Sequence, residues 1–316
     1  MRQRGGFDDP GELVVAHTPE VLHPWPEGVA RDRLGLARWL VDERNPLVAR
    51  VHANRIWGLL FGEPLVATPE DFGLQADKPL HLDVLDWLAT ECIRLGWSQK
   101  QLIRTMVTSD TYRRSAHVSP AQRQLDPGND YYARGNRFRL QAEQIRDLML
   151  TVSGLLSTKM GGPSVFPLQA DTSGAIALNK VDMRWRISPG EDRHRRGVYT
   201  YWRRTAPFLQ FVVFDAPTRE ECVVRRERTN TPLQALSGLN DPASWAAAEA
   251  LGQRMRQLSG TDRDRLAHGF RLCTARKPSE QELDRLEAAL LREESAVAWS
   301  LLANVLLNLD ETLTRG

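Results

Sequence analysis

Arg139, Glu143, Arg146 and Asp147 fall three and four residues apart inside the stretch Phe138 to Leu156. Its apolar stripe (Leu140, Ile145, Leu148, Met149, Val152, Leu155) predicts one long helix. On that helix two carboxylates and two guanidinia share a side. Exposed, they are a solvated ion-pair ladder of small energetic value. Buried, each charge needs its partner, because an unpaired carboxylate out of water is too costly to keep ionised. Neighbouring carboxylates can also divide acid and base work. Glu143 and Asp147, with Asp215 further along, are therefore the candidate catalytic groups of a hydrolase or lyase acting on carbohydrate.

The segment 184–204 is the most unusual in composition. It sets seven arginines, among them Arg184, Arg186, Arg203 and Arg204, against two carboxylates, a local surplus of five positive charges. Trp185, Tyr199, Tyr201 and Trp202 are interleaved with them. Guanidinium forks beside aromatic faces hold phosphate, sulfate, carboxylate or unpaired bases. They equally fill an interior in which arginine stacks on rings and pairs with acids such as Asp215, Glu220 or Glu221. Arg225, Arg226 and Arg228 repeat the ambiguity just ahead of a helix that Pro232 opens. Thr229, Asn230 or Thr231 can cap that helix, and its N-terminus favours an anion. The candidate anion-binding set is thus Arg184, Arg186, Arg203, Arg204, Arg225, Arg226, Arg228, Tyr201 and Trp202.

Other motifs carry less. Asp71-Phe72-Gly73 looks like a kinase magnesium loop, but no phosphate loop or catalytic loop accompanies it, and Asp71 is expected to accept backbone N–H groups in a turn. Gly162-Pro163-Ser164 lacks the second glycine of a nucleophile elbow. The seven histidines form no i,i+4 pair and no H-E-x-x-H, so no metal site is expected. Cys92, Cys222 and Cys273 have neither zinc spacing nor a C-x-x-C-H haem attachment, and are read as buried apolar fillers. No cofactor is expected.

The elements that would position these groups are mostly helices. Residues 1–30, broken by Pro10, Pro19, Pro24 and Pro26, should lie extended. Helical periodicity starts at Asp32. Asn45-Pro46 opens a second helix that Gly62 ends, His81 to Leu95 forms a third and Ser98 caps a fourth. Residues 163–216 are the least helical part, and Val198–Trp202 and Phe208–Phe214 suit short strands or buried irregular segments. From Pro232 helices resume over 232–239, 242–258, 262–274, 279–293 and 296–313, the last four packing as a bundle. The fold expected is mainly α: a multi-helix globular domain with a small irregular or β insertion at about 163–216 and a C-terminal helical bundle.

The 316 residues are 41% apolar and 26% charged, ordinary values for a globular chain. Lysine stands at only five positions, so arginine supplies 37 of the 42 cations. The net charge of +2 argues against nucleic acid as the partner. No apolar run reaches the length of a membrane span.

Many of these segments occur together in one known family, in the same order. They include Asn54-Arg55-Ile56-Trp57, Thr68-Pro69-Glu70-Asp71-Phe72-Gly73, Leu85-Asp86-Trp87-Leu88-Ala89, Ser109-Asp110-Thr111-Tyr112-Arg113, Gly161-Gly162-Pro163-Ser164-Val165, Phe214-Asp215-Ala216-Pro217 and Leu239-Asn240-Asp241-Pro242. From about residue 31 to 258 the chain resembles the PSD-one domain of unknown function, abundant in planctomycetes. The resemblance implies three parts: an extended arm or linker over 1–30, the helical domain over 31–258, and a helical extension over 259–316 packed on it. It also implies a C-terminal place in a long exported protein, behind a cytochrome-c-like domain. The expected partner is then the haem domain of that longer protein or of an operon neighbour, this chain being a piece of it. The family supplies no catalytic residues to carry over. The function expected is a non-catalytic binding or scaffolding module with an arginine-and-aromatic groove for an anion, an acidic polysaccharide being one ligand. Hydrolase or lyase and nucleic-acid binder are the alternatives.

Overall fold

The computed structural model describes residues 11, 13, 15–73, 76, 78–170, 185–203, 207–292 and 296–316. The chain divides into two compact units, Met1–Gly135 and Asn136–Gly316.

The first unit holds α1 (Arg33–Leu40), α2 (Val48–Phe61), α3 (Leu82–Arg94), α4 (Gln99–Val107) and α5 (Pro120–Leu125), of which α2, α3 and α4 build a small core. Asn45 starts α2 as its sequence suggests, its Oδ1 accepting from the N–H groups of Leu47 and Val48 at 3.0 and 3.2 Å. Trp57 and Phe61, one helical turn apart, stack at 3.8 Å and receive Tyr132 edge-on. The Trp57 indole donates to the Tyr132 hydroxyl at 2.9 Å, so the aromatic cluster keeps its polar edges satisfied. Asn54, fully buried, gives and takes one hydrogen bond with the Val66 backbone and ties the loop after α2 to its helix. Asp71 accepts from the Gly73 N–H at 2.6 Å, the turn use expected of it. Ahead of α1 the described residues are non-helical and pinned by His23, which stacks on Trp39 while the Trp39 indole donates to the His23 carbonyl.

The second unit holds β1 (Phe138–Arg139), α6 (Ala142–Ser153), α7 (Leu209–Val213), α8 (Pro232–Asn240), α9 (Pro242–Arg256), α10 (Asp262–Thr274), α11 (Glu280–Leu290), α12 (Ala296–Leu307), α13 (Asp310–Leu313) and β2 (Thr314–Arg315). Ile145 and Met149 of α6, Leu251 and Met255 of α9, Leu266 of α10 and Leu306 of α12 meet in one core. The structure is mainly α, as expected, and the described residues contain only one sheet, of two short strands.

Two local expectations fail for non-local reasons. The helix expected from Phe138 begins only at Ala142, because Phe138 and Arg139 pair antiparallel with Arg315 and Thr314 from the far end of the chain. Arg139 is therefore not a helical neighbour of Glu143. Phe208–Phe214, read as strand or irregular, contains a short helix. Phe208, Phe211 and Phe214 recur every third residue and are all buried, so one helical face fills the core despite the β-branched Val212 and Val213. The cysteines also divide. Cys92 and Cys273 are buried, and burial pushes the Cys273 thiol up to about 12, but Cys222 is exposed rather than a filler.

Candidate functional site

The short β1 ladder fixes Arg139 at the edge of the second unit, its guanidinium 5.9 Å from the Phe214 ring centre. Phe214 ends α7, and the next residue, Asp215, takes a left-handed backbone (φ 60°), which a short polar side chain tolerates. From there the Asp215 carboxylate closes the loop that follows. It accepts from the Thr229 N–H at 2.7 Å, from the Thr229 hydroxyl at 2.8 Å and from Gln234 Nε2 at 3.2 Å. Thr231 rather than Thr229 caps α8, accepting from the Gln234 N–H. Pro232 sits at the first turn.

These contacts build a shallow, partly open cleft with a cavity volume of only about 10 Å³. Arg139, Phe214, Asp215, Arg226, Arg228 and Gln234 contribute to its lining. Arg226 gives one nitrogen, Nη1, to both Glu143 Oε2 at 2.7 Å and Gln141 Oε1 at 3.2 Å. Arg228 lies over the Phe138 ring at 4.7 Å. Arg139 is half-buried, and its Nε, closed off from solvent, has no hydrogen-bond partner among the described residues. Desolvation holds this guanidinium below the ordinary arginine value, against the opposing pull of Asp310 and Asp215.

Of the candidate anion-binding residues, the cleft gathers Arg226 and Arg228. The described part of 184–204 is used elsewhere. Arg195, 1% exposed, lies 3.8 Å over the Tyr199 ring and donates to the carbonyls of Lys159, Gly161 and Pro163. The Tyr201 ring stacks on Phe166 at 4.7 Å with Arg203 at 5.7 Å from its own centre. The Trp202 indole donates to the Thr218 carbonyl, and Arg219 covers the ring at 4.5 Å. Arg186, Arg203 and Arg225 are engaged in interactions within the chain, while Arg184 and Arg204 fall outside the described residues.

The candidate carboxylates are occupied. Glu143 holds Arg226, Asp147 accepts from the Gly197 N–H at 2.6 Å, and Asp215 serves Thr229 and Gln234. Gly197 lets the two segments approach closely, since a Cβ there would stand 3.0 Å from Glu143 Cα and crowd it. Arg146, 3% exposed, reaches no carboxylate directly among the described residues. It donates to the carbonyls of Arg193 and Arg195, and burial lowers it to about 10. Among the described residues no three His, Cys, Asp or Glu side chains gather to hold a metal ion, and no helix is long and apolar enough to cross a membrane.

Reading the sequence alone singles out Arg226, Arg228 and Asp215 but not the part Arg139 and Gln234 play beside them. Arg139 reaches the cleft only through a strand partner more than 170 residues away. Gln234 stands three residues after the Thr231 cap, so its local signal is that of a helix start and not of a cleft.

No curated protein and no solved structure matches this chain. The family model PSD1, described as a protein of unknown function (DUF1553), matches residues 32–290. That span covers most of both compact units and every residue of the cleft, and the chain belongs to the PSD1 (DUF1553) family.

Proposed function

We propose that the chain is a non-catalytic binding or scaffolding module of a larger exported, cytochrome-associated protein, and that its cleft receives an anionic group such as an acidic polysaccharide presents. Arg139 carries the reading. A half-buried guanidinium whose inner nitrogen lacks a partner lines a cleft open to solvent. Such a charge is costly to leave unanswered, and an anion seated against the exposed end of the guanidinium answers it electrostatically. The carboxylates favour binding over hydrolysis, since Glu143, Asp147 and Asp215 already have donors from the chain. The small net charge and the small cleft disfavour nucleic acid, whose binding draws on many phosphate contacts. Export and the haem-domain partner rest on the family resemblance. A reading frame upstream that encodes a signal segment and C-x-x-C-H supports them; an isolated, leaderless gene removes them.

The cleft is tested by calorimetry with polygalacturonate and heparin on the full chain. Arg139→Gln should weaken binding by about ten-fold while the melting curve stays cooperative. Equal binding by the variant, or no binding by the parent protein, removes the cleft from the reading.

A further inference from the structure

Resting on the anion-binding reading, we infer that the ligand of this cleft is a carboxylate with a hydroxyl beside it, the chemistry of a uronic acid residue, and that phosphate esters are poor ligands.

The edge that Arg226 presents is the first ground. Gln141 and Glu143 both bind Nη1, which leaves the Nε–Nη2 edge without a partner among the described residues. Two parallel N–H donors on that edge match the two coplanar oxygens of a carboxylate. Glu143 holds the fork in place, so little side-chain entropy is lost on binding.

Charge is the second ground. Arg139, Arg226 and Arg228 line the cleft together with Asp215 and Glu227, and Glu143 pairs with Arg226, so cations and acids around it balance. A carboxylate adds a single charge to that balance. A phosphate monoester, carrying about −1.5 to −2 near neutral pH, adds more and brings its second charge against the acids.

Gln234 supplies the third ground. Its side chain is 1% exposed, and Nε2 donates to Asp215 Oδ2 and to the Thr229 hydroxyl at 3.2 and 3.0 Å. An ionised carboxylate only accepts, so Asp215 fixes which way the amide points. Oε1 is then a buried acceptor with no partner in the wall of the cleft. It calls for a donor, which a ligand hydroxyl provides directly or through one water.

The test is calorimetric titration of the full chain near neutral pH with D-galacturonate, D-galactose and D-galactose 6-phosphate. Galacturonate should bind about ten-fold more tightly than either of the others. Arg226→Lys, which keeps the charge and loses the fork, should cost galacturonate at least about five-fold. Gln234→Met should narrow the preference for galacturonate over propionate, which has the carboxylate without the hydroxyl. If that variant does not fold, the Arg226→Lys and phosphate arms decide alone. Phosphate binding as tightly as galacturonate, or Arg226→Lys binding unchanged, overturns the ligand class while leaving anion binding intact. Failure of every anion to bind overturns both.

Discussion

Arg195 and Arg146 are among the most deeply buried side chains in the protein, and both donate to backbone carbonyls rather than to acids. A guanidinium spreads its charge over a plane of five donors, so several carbonyl dipoles can solvate it where one carboxylate would have to be desolvated too. Arg195 thereby clamps the turn from Lys159 to Pro163, whose Gly161 and Gly162 both take left-handed backbone. Replacing Arg195 with Met keeps most of the volume and strips the donors from that turn. The expected cost is about 3 kcal/mol, read from the urea midpoint. Arg195→Lys should recover less than half of it, because a single ammonium cannot span all three carbonyls.

Packing between helices turns on small residues. α9 and α12 make the most extensive helix contact among the described residues of the second unit, with Ala248 and Ala303 wholly buried in its core. A Cβ on Gly252 would stand 2.9 Å from both Ser300 N and the Trp299 carbonyl carbon, and backbone cannot swing aside as a flexible side chain can. Gly252→Ala should cost about 2 kcal/mol or more through overpacking, outweighing the gain in helix propensity, as a lowered melting temperature will show. At the start of α11, Ser279 and Glu282 form a reciprocal cap, and Arg276 joins Glu282 to Glu311. The Arg276 guanidinium, with the Ser279 N–H and hydroxyl, holds the Glu282 carboxyl down at about 2. A carboxyl lowered on folding adds stability above its unfolded value and loses it as the proton returns. The melting-temperature gap between parent and Glu282→Gln should therefore close as pH falls from about 4.5 to about 2. A gap that stays constant would mean the cap acts without its charge.

At the scale of the whole chain there are two cores, one built on Trp57, Phe61, Leu88 and Leu102 and the other on Ile145, Phe208, Leu251 and Leu306. The two have no residue in common, and the break falls between Gly135 and Asn136. The second unit is of ordinary domain length and contains the whole cleft. Residues 136–316 expressed alone should keep a helical circular-dichroism spectrum and a cooperative melt, and should bind galacturonate within about three-fold of the full chain. A molten fragment would show that the second core needs the first.

Periodicity and punctuation in the sequence determined most of the helices, because those signals are local. Apolar spacing, the Asn45 cap, the prolines that open α8 and α9 and the glycine after α2 act within one or two turns. The arginine-rich composition was equally visible, but not what each arginine would meet. A guanidinium suits a carbonyl cage, an aromatic face, an acid or a ligand equally well, and only the chain path chooses among them. Tertiary structure sent Arg195 inward to the turn after Lys159, set Arg226 on Glu143, and drew Arg139 out of a helix by pairing it with Thr314. Those partners lie tens to well over a hundred residues apart in sequence, so no pattern around any one of them could announce the cleft.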